Sequence, residues 1–392
     1  MQRISLLIAS LTAILWIASC QAQSRPISTD TAAPPPATST RPPADAPTSS
    51  PSPAFTATHP PTETPEITPS PTYNPEITET LALTRTATGS NAICFTPADL
   101  NLFAFMPDSE RILVRTGTGI QIFNLMTLEE DRFIKAPKNI LTAAISPDGQ
   151  TLAWSLEDNS LQLVRVSDQK ILSTMQGHTD IVFKLRFSPS GDRLYSASHD
   201  TWVRIWDING EEVGAFQPTG ADDLPSEVLG IGISPDGTQL ASIPFDGPVK
   251  LWDINEKKQA AVLGGSGGFD TSDAVFSPDG QYVAADLATG LYLWSYLDGT
   301  PLWDDLKNSM AVSFSPDGRF LAYSNIGENN DIILSSPDGA QTIRVLSGHQ
   351  GPVWELVFSP DSSLLASTDG MELRIWNAED GELLYVGKAA CP

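Results

Sequence analysis

The chain has 392 residues, 41% of them hydrophobic, and sets 47 acidic side chains against 23 basic ones for a formal charge of −24. A nucleic-acid backbone is held by a positive surface and anionic lipid by a basic patch, so a chain with twice as many carboxylates as cations excludes both modes of attachment. The averages hide two regions, because 15 of the 32 prolines lie between Arg25 and Pro75.

At the N-terminus, Met1, Gln2 and Arg3 lead into an apolar stretch from Ile4 to Ile17, followed by Ala18, Ser19 and Cys20. About fourteen apolar or small residues span a bilayer poorly but have the proportions of a signal-peptide core, so export is expected. The run Ile17-Ala18-Ser19-Cys20 resembles the lipobox of bacterial lipoproteins. That resemblance implies a signal peptide over residues 1–19, acylation of Cys20, and attachment to a bacterial membrane, either at the cell surface or in a periplasm. An ordinary signal peptide cut nearby, or an uncleaved anchor helix, is the alternative. Two or more acyl chains, at about 0.8 kcal/mol per buried CH₂, suffice for a stable anchor. From Gln21 to Ser90 there are 15 Pro and 24 Ser or Thr in 70 residues, with almost no aromatic side chain to seed a core. Residues 20–92 therefore read as a disordered Pro/Ser/Thr-rich tether, with an r.m.s. span of roughly 45 to 50 Å that its prolines extend further.

Beyond Cys94 the chain repeats. A Pro-Asp or Pro-Ser pair recurs at Pro107, Pro147, Pro189, Pro235, Pro278, Pro316 and Pro360, in steps of 40, 42, 46, 43, 38 and 44 residues. Each pair sits between two apolar runs and reads as strand, tight turn, strand: Pro presets φ, Asp bonds back to the backbone, and a following Gly takes positive φ. A third run is centred on Phe123, Val164, Trp206, Trp252, Trp294, Leu334 or Trp376, and a fourth follows in most copies. Four short strands per period of about 42 residues is the pattern of a β-propeller blade.

The dipeptides Gly177-His178, Trp206-Asp207, Trp252-Asp253, Gly348-His349 and Trp376-Asn377 fall on that period, and with them residues 101–387 resemble a seven-bladed WD-repeat β-propeller. The third and seventh repeats match well, the second, fourth and fifth partly, and the first and sixth through turn and strand spacing alone. The resemblance implies an all-β domain over residues 93–392, built of four-stranded antiparallel blades. It also implies a structural hydrogen-bonded set of His178, Ser198, Asp200 and Trp206 in the third blade, and of His349, Ser367, Asp369 and Trp376 in the seventh. Such a set meets a physical need: a buried imidazole and carboxylate must satisfy each other, and an indole N–H needs an acceptor. Asp369 stands seven residues before Trp376, where Asp200 stands six before Trp206, which leaves the seventh set open. The fourth repeat keeps Asp246 and Trp252 without a Gly-His pair.

If Cys20 carries lipid, Cys94 and Cys391 are left as a candidate disulfide, with two free thiols as the alternative. The two ends of a ring must meet. The last blade shows a fourth strand of its own near Glu382 to Val386, so a covalent bond is expected to replace or reinforce closure by an N-terminal strand.

Chemistry is sparse. The four histidines are His59, His178, His199 and His349, and no metal-ligand spacing, nucleophile elbow or phosphate loop accompanies them, so no metal, no cofactor and no enzyme is expected. The run from Gly264 to Gly268 precedes a strand and reads as an inter-blade loop. What remains is surface. Aligned on the two strong repeats, Phe183 and Trp354 fall early in the innermost strand and His199 just before the blade Asp, which makes them candidate partner contacts around the central channel; packing between blades is the competing role for the two aromatics. The expectation is a monomeric, membrane-tethered, extracytoplasmic scaffold for a protein or peptide partner of basic character. Pro-Asp-Gly turns are also similar to those of TolB-like propellers, which implies the alternative of an envelope carbohydrate or small ligand in the channel; a hydrolase at the channel mouth is a third reading. Residues 1–92 hold 4 basic and 6 acidic side chains, so 19 basic and 41 acidic ones place −22 on the propeller.

Overall fold

Residues that alternate in polarity between Pro-Asp-Gly punctuation fold as short antiparallel strands, and a computed structural model describes them over residues 92–94 and 103–388, except 117, 269–272, 304–308 and 328. The signal segment, the tether, Cys20 and Cys391 lie outside the described residues. Among the described residues twenty-nine strands form seven sheets, six of them simple four-stranded meanders and the seventh a meander with one added strand. Blades 1 to 7 span residues 103–135, 140–175, 182–216, 228–264, 274–303, 312–346 and 355–388. Within each, the strand order runs innermost, second, third, outer. This is the expected seven-bladed propeller.

The burial of each strand follows its place in the blade. Second strands such as Arg193–Ser198 are buried at nearly every position, because both of their faces meet a neighbouring blade. Outer strands such as Glu212–Phe216 expose most of their residues. The core is accordingly divided into seven clusters, each joining residues of two adjacent blades. The junction of blades 7 and 1 is packed like the others, with Ile112, Val114 and Phe123 against Ala366, Leu373 and Ile375.

The Pro-Asp turns take the predicted geometry. Gly149, Gly191, Gly237, Gly280 and Gly318 have φ between 68° and 77°, and Ser109 and Ser362 hold the same left-handed position at 59° and 64°. Each of these serines gains an inter-blade contact: Ser109 Oγ accepts from the Asp361 N–H at 3.1 Å, and Ser362 Oγ from the Asp317 N–H at 3.0 Å. Between the third and outer strands the ladder slips in every blade, at the signature aromatic in blades 1, 3, 4, 5 and 7, as between Ile205 and Trp206 or Ile375 and Trp376, and at Val164 and Leu334 in blades 2 and 6.

Ring closure differs from the sequence expectation. The seventh blade has its own outer strand, Leu383–Lys388, as foreseen. In addition Ala92–Cys94 pairs in parallel along it, with Ala92 opposite Val386 and Cys94 opposite Lys388, giving a five-stranded sheet. The outer strand offers an unpaired edge, and the segment entering blade 1 passes it, so backbone hydrogen bonds contribute a clasp that the repeat pattern did not reveal.

Candidate functional site

Two faces of the ring differ in construction. One carries the Pro-Asp turns. The other, the entry face, carries the loops that lead into the innermost strands and the hairpins between second and third strands, and here the Gly-His pairs and blade carboxylates meet.

In blade 3, His178 Nδ1 lies 2.8 Å from Asp200 Oδ2 and Nε2 lies 2.7 Å from a serine Oγ. That serine is Ser196, not Ser198. Trp206 Nε1 donates to the same Ser196 Oγ at 2.9 Å. Ser198 instead donates to the Asp180 carbonyl at 3.1 Å and accepts from the Asp200 N–H at 3.1 Å. The reason is register. Ser196 pairs with Arg204, two residues from Trp206 on the facing strand, so its hydroxyl lies beneath the indole, while Ser198 stands at the strand end. The hydrogen bonds run as one chain from Asp200 through the His178 Nδ1 and Nε2 positions to Ser196, which accepts from Trp206. Burial acts to raise Asp200, but His178 and the N–H groups of Thr179 and Trp202 outweigh it and hold the carboxyl below its ordinary value.

Blade 7 repeats the arrangement with Ser367, which lies 2.7 Å from His349 Nε2 and 2.8 Å from Trp376 Nε1. Its hairpin is one residue shorter, and Asp369 is spent on the backbone: Oδ1 accepts from Met371 and Glu372 at 3.0 and 2.9 Å. Asp369 Oδ2 reaches His349 Nδ1 at 3.2 Å, ion-pair distance without hydrogen-bond alignment, so the full set forms in a weaker version. Burial pushes His349 down, against the pull of Asp369. The Gly before each His is required: Gly348 has φ of 139°, and a side chain there would meet the Arg374 guanidinium. In blade 4, Trp252 Nε1 donates to Ser242 Oγ at 2.8 Å, and Ser226 takes the place of His by bonding Asp246. The signal that identifies Ser196 was present in the sequence: the serine precedes its Trp by ten residues in blades 3 and 4 and by nine in blade 7, whereas Ser198 precedes Trp206 by eight. These sets are buried and hold the blades; His178 and Asp200 present no open face to a substrate.

Of the three residues expected to face a partner, Phe183 of blade 3 and Trp354 at the start of blade 7 line the channel, and His199 packs against Phe183. Phe183 packs on His199 with ring centroids 3.9 Å apart, and His199 Nε2 lies 3.5 Å from Glu227 Oε2. Trp354 is 46% exposed, its indole N–H donating to the Asp369 carbonyl at 3.2 Å. Ile181 and Met371, exposed beside them on the same loops, extend the apolar surface. Inside the mouth runs a channel of about 930 Å³. Arg115, Lys184, Arg186, Asp273 and Glu355 line it.

Among the described residues no group of three or more His, Cys, Asp or Glu side chains is arranged to hold a metal. Asp207, whose spacing to Asn209 and Glu211 resembles a cation loop, closes its own turn by accepting from the Asn209 and Glu211 N–H groups at 2.9 and 2.8 Å. Cys94 ends the clasp strand, three residues of register short of Cys391.

The fold defines the class: a seven-bladed β-propeller. The WD domain, G-beta repeat family matches residues 169–207 and 340–377, each running from the outer strand of one blade through the third strand of the next. The chain is similar to COMPASS component SWD3 of Saccharomyces cerevisiae, 31% identical over 107 residues, and to a WD repeat-containing protein, sll1491, of Synechocystis, 36% identical over 104 residues. It is 26% identical over 102 residues to the serine-threonine kinase receptor-associated protein of Homo sapiens. Each match covers 26% of this chain, and the three span 34%, 30% and 29% of those relatives.

Proposed function

We propose that this protein is a non-catalytic docking module: an exported propeller, held to a membrane by lipid on Cys20 and a Pro/Ser/Thr-rich tether, that binds a protein or peptide with its entry face. The observation that carries the reading is the exposed apolar surface at the channel mouth. A tryptophan left 46% exposed next to the hairpin that carries Met371, with Ile181 exposed on the loop into blade 3, is an anchor of the kind that buries large area on binding with few torsions to freeze. Two of the similar proteins are named as a component of an assembly and as a receptor-associated protein, which supports a protein partner. The charge of −22 on the propeller favours a partner with basic contacts and an association rate that falls with salt.

The test is crosslinking on intact cells with the natural chain and with Trp354→Ala and Phe183→Ala. The reading expects a defined set of captured proteins that both substitutions deplete while the thermal midpoint is unchanged. An identical set from all three proteins refutes the entry face as the docking surface. Cys20→Ala separates the anchoring from the docking: it should move the protein from the membrane fraction to the soluble extracytoplasmic fraction without altering capture.

A further inference from the structure

The acidic propeller has a basic interior. Among the described residues three cations, Arg115, Lys184 and Arg186, and two carboxylates, Asp273 and Glu355, line the channel. The formal sum is +1, inside a domain that carries −22. Counted back from the Pro of each turn, Lys184, Asp273 and Glu355 occupy the same position on the innermost strands of blades 3, 5 and 7, so they share one level of the ring, and Arg186 lies one step deeper. Blade 4 stands between blades 3 and 5 but offers only Gly230 and Gly232 at those two levels. Arg186 therefore bonds Asp273 past it, and a side chain at Gly232 would run into the Ala274 carbonyl.

At the Arg186–Asp273 pair the cations, more than the carboxylate, face the open space. The side chains of Arg186 and Lys184 are 38% and 23% exposed, against 11% for Asp273 behind them. Among the described residues Lys184 Nζ makes no hydrogen bond, and it stands 3.5 Å from Asp273 Oδ2, the oxygen already taken by Arg186. Its ammonium thus has donors to spare. Burial, and next to it the Arg186 guanidinium, push Lys184 down to about 8 against the pull of Glu355. Immediately above this floor, one residue earlier on their strands, Phe183 and Trp354 form an apolar collar at the mouth.

We propose that the channel binds a small organic carboxylate with an apolar body, the carboxylate held by Lys184 and Arg186 and the body covered by Phe183 and Trp354. One negative charge brings the formal sum of the lining to zero. A carboxylate accepts from an ammonium and a guanidinium in short, charge-assisted bonds, and about 930 Å³ admits an aromatic acid with room to orient. This site shares Phe183 and Trp354 with the docking surface, but Lys184 and Arg186 within the channel carry it, so substitutions at Lys184 test it apart from entry-face capture.

The full chain, titrated calorimetrically with benzoate, tests it. Saturable one-to-one binding is expected. Benzamide, which keeps the body and lacks the charge, and inorganic phosphate, which keeps the charge and lacks the body, should each bind at least about tenfold more weakly, as should benzoate to Lys184→Gln. Lys184→Arg, which preserves the charge, should restore most of the affinity, and both variants should melt with the natural protein. Absence of saturable benzoate binding, or equal affinity in Lys184→Gln, overturns the site. Phosphate binding as tightly as benzoate overturns the apolar half of the assignment.

Discussion

Ser196→Ala is the sharpest perturbation of the blade network. The Ser196 hydroxyl is fully buried and joins His178 at 2.7 Å to Trp206 at 2.9 Å. Alanine removes two hydrogen bonds at about 1 kcal/mol each and leaves an indole N–H and an imidazole nitrogen buried without partners. Unsatisfied buried groups cost about 1 to 3 kcal/mol apiece, partly offset because one buried hydroxyl also disappears, so the expected loss is about 3 kcal/mol. Ser198→Ala, two residues along the same strand and equally buried, forfeits only a bond to the Asp180 carbonyl and one from the Asp200 N–H, and should cost about 1 kcal/mol. Urea unfolding of the two variants beside the natural protein, followed by tryptophan fluorescence and circular dichroism, measures the difference. Equal midpoints for the two variants would falsify the assignment of Ser196 as the bridging hydroxyl.

Acid should destabilise the ring in two stages. His349 is depressed in the folded protein, so its neutral form is favoured; stability is full above its ordinary value near 6.5 and falls as pH drops below it. Asp200 and Asp369 are held below 3.8, so their contribution is present above that value and lost as pH falls through the lower folded values. Thermal midpoints read across this range should decline in both windows, and His349→Gln should flatten the upper one; an unchanged upper slope contradicts the role of His349. Under reducing conditions, starting the chain at residue 95 removes the parallel clasp on blade 7, and at about 1 kcal/mol per backbone bond should cost roughly 2 to 3 kcal/mol in denaturant unfolding. If the truncated chain is as stable as the natural one, the clasp does not hold the ring. With Cys94 opposite Lys388, the chain from Lys388 to Cys391 is short enough for the proposed bridge, which is worth at most about 5 kcal/mol. Intact mass under non-reducing conditions should show no alkylatable thiol at either residue, and recovery of both as alkylated thiols excludes it.

The sequence alone determined the number of blades, the place of every Pro-Asp turn and the core-facing strand of each repeat, because these depend on local chemistry: a ring-locked φ, an Asx turn, a glycine at positive φ, and apolar residues at strand period. It also carried the Ser-to-Trp spacing that marks Ser196, though the family resemblance pointed to Ser198. What only the tertiary structure decided depends on registers between strands and distances across the ring. Which serine lies under an indole follows from how Arg193–Ser198 pairs with Val203–Asp207. The parallel strand on blade 7 follows from the first and last blades meeting after nearly 300 residues of chain, a contact no local pattern encodes. The basic channel is the clearest case. Lys184, Asp273 and Glu355 are 171 residues apart from first to last and unremarkable in an acidic sequence, yet the ring sets them on one level around a shared space. Net charge is additive along a chain, but a binding site is a matter of which charges the fold turns toward each other, and that sum is taken only once the ring has closed.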